Sequence, residues 1–110
     1  MRERPLALVQ GTLDLLVLRT LASGAMHGYG IATDVRQRTG GELNIEDAAL
    51  YQALHRLARQ GFVDAEWAPS ENNRRARYYT LTAAGRQRLR EETAAWRRYA
   101  RAVGAVLEGA

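Results

Sequence analysis

Arg74 and Arg75 follow Asn72 and Asn73 in a polar stretch, 68–75, that is rich in turn formers, and Arg77 stands two residues beyond its end. Upstream, Gln52, His55, Arg56 and Arg59 recur at the spacing of one helical face. An arginine fork pairs with phosphate oxygens or a guanine edge, and a glutamine amide matches an adenine edge. Both groups of residues therefore suit a polyanion that also displays base edges. Other chemistry is poorly supplied. The chain has no cysteine and only His27 and His55 as imidazoles, so disulfides, thiolate chemistry and a dedicated transition-metal site are not expected. No Ser/His/Asp set, paired-carboxylate pocket or phosphate-cradling glycine loop can be assembled, so the chain does not read as an enzyme and calls for no cofactor.

The elements that position these residues can be read from periodicity. A first helix spans about Gly11 to Ser23, with Leu13, Leu16, Val17 and Leu21 on one side and Leu15 and Leu18 nearly closing the circle. So apolar a helix needs cover on most of its surface, and Gly24 ends it. A second helix begins after a turn at Met26-His27-Gly28, carries Tyr29, Ile31, Ala32 and Val35, and stops at Gly40-Gly41. The third is the clearest: Leu50, Leu54 and Leu57 face inward, Glu46 or Asp47 can cap its start, and Gly61 supplies a left-handed stop. That packing turns Tyr51, Gln52, His55, Arg56 and Arg59 outward or to its margin.

The period then changes to alternation. Residues 62–67 and 76–81 read as two strands, and the polar stretch between them is too long for a tight hairpin turn. A hairpin with a basic tip after a third helix has the outline of a wing. Thr82 caps a final helix from about Ala83 to Leu107, on which Leu89, Trp96 and Val103 share one heptad position and Tyr99 and Val106 a second. About 25 helical residues extend nearly 40 Å. That exceeds what the small domain in front can cover, and a second copy of the chain is the simplest cover for the remaining apolar stripe. The expected architecture is mainly α with a small β-hairpin (α+β): a DNA-binding unit over 1–82 and a dimerisation helix over 83–110.

The whole-chain numbers agree with this reading. A single domain accounts for 110 residues, and the formal charge of +4 comes from sixteen arginines, with no lysine, against twelve acidic residues. An arginine-biased genome explains the missing lysines but not the clustering. The longest apolar stretch, near Leu13 to Leu18, is interrupted by Asp14 and is far too short to span a bilayer. No signal peptide is visible, which makes the cytoplasm the expected location and a membrane an unexpected partner.

The segment Leu50-Tyr51-Gln52-Ala53-Leu54-His55-Arg56-Leu57, followed by Gly61-Phe62-Val63 and Trp67, resembles the third helix and first wing strand of PadR-type transcriptional regulators. Arg74-Arg75-Ala76-Arg77-Tyr78-Tyr79-Thr80-Leu81-Thr82 with Gly85 is similar to the family's second wing strand and helix entry. Gly11-Thr12-Leu13-Asp14 and His27-Gly28-Tyr29-Gly30-Ile31 complete the pattern, which covers roughly residues 8–100. The chain departs from it at Ala48-Ala49, where relatives carry Gly-Ser or Gly-Thr, and at Gln52, where many carry Pro. The loss of a hydroxyl at Ala49 bears on the operator sequence rather than on DNA binding.

The resemblance implies a winged helix-turn-helix fold of the compact subgroup, a homodimer, double-stranded DNA as partner, and repression as the role. On this reading Gln52 and Arg56 read bases, and Arg59 meets DNA or pairs with a nearby carboxylate. Tyr51 packs its ring, with its hydroxyl free to reach a phosphate, and His55 lies at the groove edge. Asn73, Arg74, Arg75 and Arg77 hold the backbone. The His27 segment would lie near the DNA backbone or be purely structural. A two-fold dimer implies an inverted-repeat operator. Trp96 anchors the dimer, and in some relatives aromatic residues at that place bind flat hydrophobic effectors; Trp96 and Tyr99 would be the stacking surfaces here. The competing class is a winged helix that binds protein instead.

Overall fold

The computed structural model describes residues 6–109. Four helices and three short strands follow in the order α1 (Thr12–Leu21), β1 (Met26–His27), α2 (Gly28–Arg38), α3 (Asp47–Arg59), β2 (Val63–Pro69), β3 (Arg75–Leu81) and α4 (Ala83–Glu108). The antiparallel sheet has the order β1-β3-β2, so β3 is its central strand. The core lies where α1, α2 and α3 meet the base of the sheet: Val17, Leu18, Leu21, Ile31, Leu50, Leu54, Leu57 and Val63 are all buried. Fully burying such side chains contributes about 1.5–3 kcal/mol each, and this cluster fixes the angle of α3.

Several local expectations change. Met26-His27 is a strand rather than a turn, pairing with Tyr79 and Tyr78 of β3. Glu46 is the N-cap of α3 but its side chain makes no capping bond. The hairpin is tight after all. Its ladder continues to Pro69 opposite Arg75, and the Ser70 N–H donates to the Arg74 carbonyl at 2.7 Å. Only Glu71, Asn72 and Asn73 remain in the loop. Asn73 stands at φ 60°, the left-handed conformation that a three-residue hairpin loop needs at its last position and that asparagine tolerates better than most residues.

Thr82 and Gly85 join the long helix to the rest. The Thr82 hydroxyl accepts from the Gly85 N–H at 3.0 Å and donates to the Gly61 carbonyl at 2.7 Å, which caps α4 and ties it to the α3–β2 turn. Gly85 is buried, and a Cβ there would stand 2.0 Å from the Phe62 carbonyl oxygen. Beyond these turns α4 runs past the domain. Leu89, expected in the free stripe, instead packs half-buried against the core of its own chain. Tyr99, Val103, Val106 and Leu107 remain exposed, and Trp96 is 39% exposed. Among the described residues no helix is long and apolar enough to cross a membrane.

Candidate nucleic-acid interface

The outer face of α3 and the inner face of the hairpin flank an open trough of about 970 Å³. Tyr51 and His55 line one wall; Trp67, Arg74, Arg75 and Arg77 line the other. The start of α2 closes one end with His27, Gly28 and Tyr29. This arrangement follows from the two periods. Helical spacing buries Leu50, Ala53, Leu54 and Leu57 and leaves Tyr51, Gln52, His55 and Arg59 exposed. Strand alternation puts Trp67, Arg75, Arg77 and Tyr79 on one face of the hairpin, with Trp67 opposite Arg77 and Pro69 opposite Arg75.

At the trough floor, burial pushes the Tyr79 phenol up from its ordinary pKa, against a smaller opposing effect of Arg77, so it stays neutral. Tyr51 leans over the start of α2. A Cβ at Gly28 would lie 3.1–3.3 Å from its phenol atoms, so the Tyr51 ring packs closely over the glycine. The His27 ring caps α2: its Nδ1 accepts from the Gly30 N–H at 3.0 Å. That bond leaves the proton on Nε2, which donates to Glu71 of the hairpin loop at 3.3 Å. His27 therefore ties the loop to α2, and its ring also meets Tyr78 edge-on at 5.3 Å between centroids.

Arg56 is placed differently from the other outward residues of α3. Its Nε donates to Asp14 Oδ2 at 3.4 Å and its Nη2 to Asp14 Oδ1, so the fork is held by both carboxylate oxygens of an α1 side chain. Those bonds raise its pKa further and fix its charge. The carboxylate pairing considered for Arg59 thus falls on Arg56, while Arg59 stays exposed. Arg74, Arg75 and Arg77 form no ion pair among the described residues. Trp67, to which sequence reasoning gives no site role, lines the trough while 54% exposed, and Tyr29 of the His27-Gly28-Tyr29 segment lines it while 72% exposed. Trp67 becomes discoverable once the three-residue loop is recognised, because that loop fixes its register against Arg77.

A second hollow of about 370 Å³ lies between the start of α1 and α4, lined by Val9, Leu15, Glu92, Trp96 and Tyr99 among others. The Trp96 and Tyr99 rings are 6.1 Å apart. The remaining seam residues, Val103 and Val106, lie further along α4.

Three helices, a short strand and a hairpin standing beside the third helix define a winged helix-turn-helix protein. Residues 17–91 match the sequence model of the "Transcriptional regulator PadR-like family". The chain belongs to that family. It is 32% identical to a PadR family transcriptional regulator from Eggerthella lenta, with a TM-score of 0.78 over 92% of this chain and 86% of that one. A PadR family regulator from Clostridium difficile is 27% identical, with a TM-score of 0.76 over 88% of this chain and 99% of that one. Bacillus subtilis PadR, solved in complex with operator DNA, shares the fold at 24% identity and a TM-score of 0.68 over 77% of this chain and 48% of that one.

Proposed function

We propose that this protein is a dimeric transcriptional regulator, a repressor, that reads double-stranded DNA with α3 and grips its backbone with the wing. One observation carries the reading. A single trough has Tyr51 and His55 of α3 on one wall, with Gln52 and Arg59 exposed on the same helix beside it, and on the other wall three arginines without ion-pair partners among the described residues. A major groove admits one helix, and the adjacent backbone strand would enter the trough. Gln52 then addresses adenine, with His55 beside it. Arg56, held by both oxygens of Asp14, sets the position of α3 on α1 rather than reading guanine. Tyr51, Arg59, Asn73, Arg74, Arg75 and Arg77 meet phosphates, which position the protein without specifying sequence. The operator complex of the Bacillus subtilis relative supports the same partner here.

The exposed stripe of Trp96, Tyr99, Val103 and Val106 is the proposed homodimer surface, and two reading helices related by a two-fold axis call for an inverted repeat. Fluorescence anisotropy of a labelled duplex over a salt series tests DNA binding. Affinity should fall steeply with salt, as expected when several phosphates are neutralised. Binding that is absent at low salt, or insensitive to salt, contradicts the reading.

The hollow at Trp96 and Tyr99 is the proposed site for a flat aromatic effector that shifts the dimer between two spacings of its reading heads. Planar aromatic compounds should quench tryptophan emission in the native protein and not in Trp96→Ala. Equal quenching in both proteins removes the effector site from the account.

A further inference from the structure

Trp67 stands in the middle of the trough-facing side of the wing with two guanidinium groups against its ring. The Arg75 guanidinium carbon lies 5.3 Å from the ring centroid and that of Arg77 lies 5.5 Å from it. The hairpin register makes this arrangement: Arg77 is directly opposite Trp67, and Arg75 pairs with Pro69 one step along the same face. Arg74, on the other alternation and at the loop, has no such contact with the ring. Trp67 is 54% exposed, so more than half of its indole faces water rather than the core.

A stacked guanidinium uses its face against the ring and keeps its in-plane N–H edge free for phosphate oxygens. An unstacked arginine must lose its rotamer freedom when it grips a phosphate, whereas a stacked one has lost part of it already. We propose that Trp67 is a positioning residue for DNA binding: its ring pre-orders Arg75 and Arg77 as a pair of phosphate clamps, while Arg74 acts independently of it. The proposal rests on the DNA-binding reading above, but the stack itself can be tested without DNA.

The test has two arms. In a Trp96→Phe background Trp67 is the sole tryptophan. Its emission in the free protein should shift when Arg75 and Arg77 are both changed to alanine, and should not shift for Arg74→Ala. In the second arm, duplex affinity is measured for Trp67→Leu, Trp67→Phe, Arg77→Ala, Arg74→Ala and the double variants. Trp67→Leu should weaken binding about fivefold, the order expected for losing exposed cation–π contacts, and Trp67→Phe should recover part of the loss. The losses from Trp67→Leu and Arg77→Ala should be less than multiplicative, whereas those from Trp67→Leu and Arg74→Ala should multiply.

A tryptophan that only stabilises the hairpin would couple equally to Arg74 and Arg77, and that result overturns the proposal. So does native affinity in Trp67→Leu, or emission indifferent to Arg75 and Arg77. If the protein binds no duplex while the emission shift is seen, the functional reading fails and the stack stands as structure without that role.

Discussion

Gly85→Ala is expected to lower the melting temperature by roughly 10–20 °C. The added methyl would stand 2.0 Å from the Phe62 carbonyl oxygen and 2.8 Å from Leu81 Cδ1. Backbone cannot yield as a flexible side chain can, so the first turn of α4 must lift from the α3–β2 turn. Lifting it endangers both bonds of the Thr82 hydroxyl, the cap of α4 and the link to Gly61. Overpacking costs about 3 kcal/mol at the upper end of its usual range, and loss of a cap about 1 kcal/mol. Better helix propensity returns about 1 kcal/mol, leaving a large net loss. Gly104→Ala is the matched control, because a Cβ there meets nothing within 4 Å, and it should stabilise the helix slightly. Thermal unfolding followed by circular dichroism decides the matter. A Gly85→Ala protein that melts with or above the native one would show that α4 is not seated on the Phe62 backbone.

The second large effect is expected at the wing. Changing Arg74, Arg75 and Arg77 together to alanine should weaken duplex binding by about a hundredfold or more near physiological salt. Every arginine–phosphate pairing that is removed also takes away close to one unit of salt slope. A dimer with two altered wings should therefore have a slope shallower by about five. A triple change of Arg97, Arg98 and Arg101 on the far half of α4 removes the same charge from exposed positions away from the trough. Affinity and slope should be almost native in that protein. Equal losses in the two triple variants would mean that net charge, and not the wing, drives binding.

Much of this is legible in the sequence because it is local. The 3.6-residue period at Leu50, Leu54 and Leu57 specifies which side of α3 is buried, and hence which side carries Gln52 and His55. The change of period after Gly61 marks the hairpin, and Thr82 marks the start of α4. What escapes has physical reasons. β1 is two residues long and has no period to detect; it exists because β3 offers a free edge beside Tyr78 and Tyr79. The tight loop is hidden because no glycine signals a left-handed residue, and Asn73 supplies it instead. Asp14 and Arg56 are 42 positions apart, and their pairing depends on how α1 crosses α3, which no local pattern encodes. Leu89 carries the seam's spacing but lies where α4 still touches the core, so the domain covers it before a partner could.

Selection of duplexes from a random pool by the full-length protein tests the central claim most directly, since every candidate operator competes in the same pool. Enriched sequences should converge on an inverted repeat whose half-sites lie about one helical turn apart, with Gln52→Ala relaxing one position in each half. A pool that stays random after repeated rounds, or a motif unchanged by substitution on α3, would contradict a regulator that reads DNA through that helix.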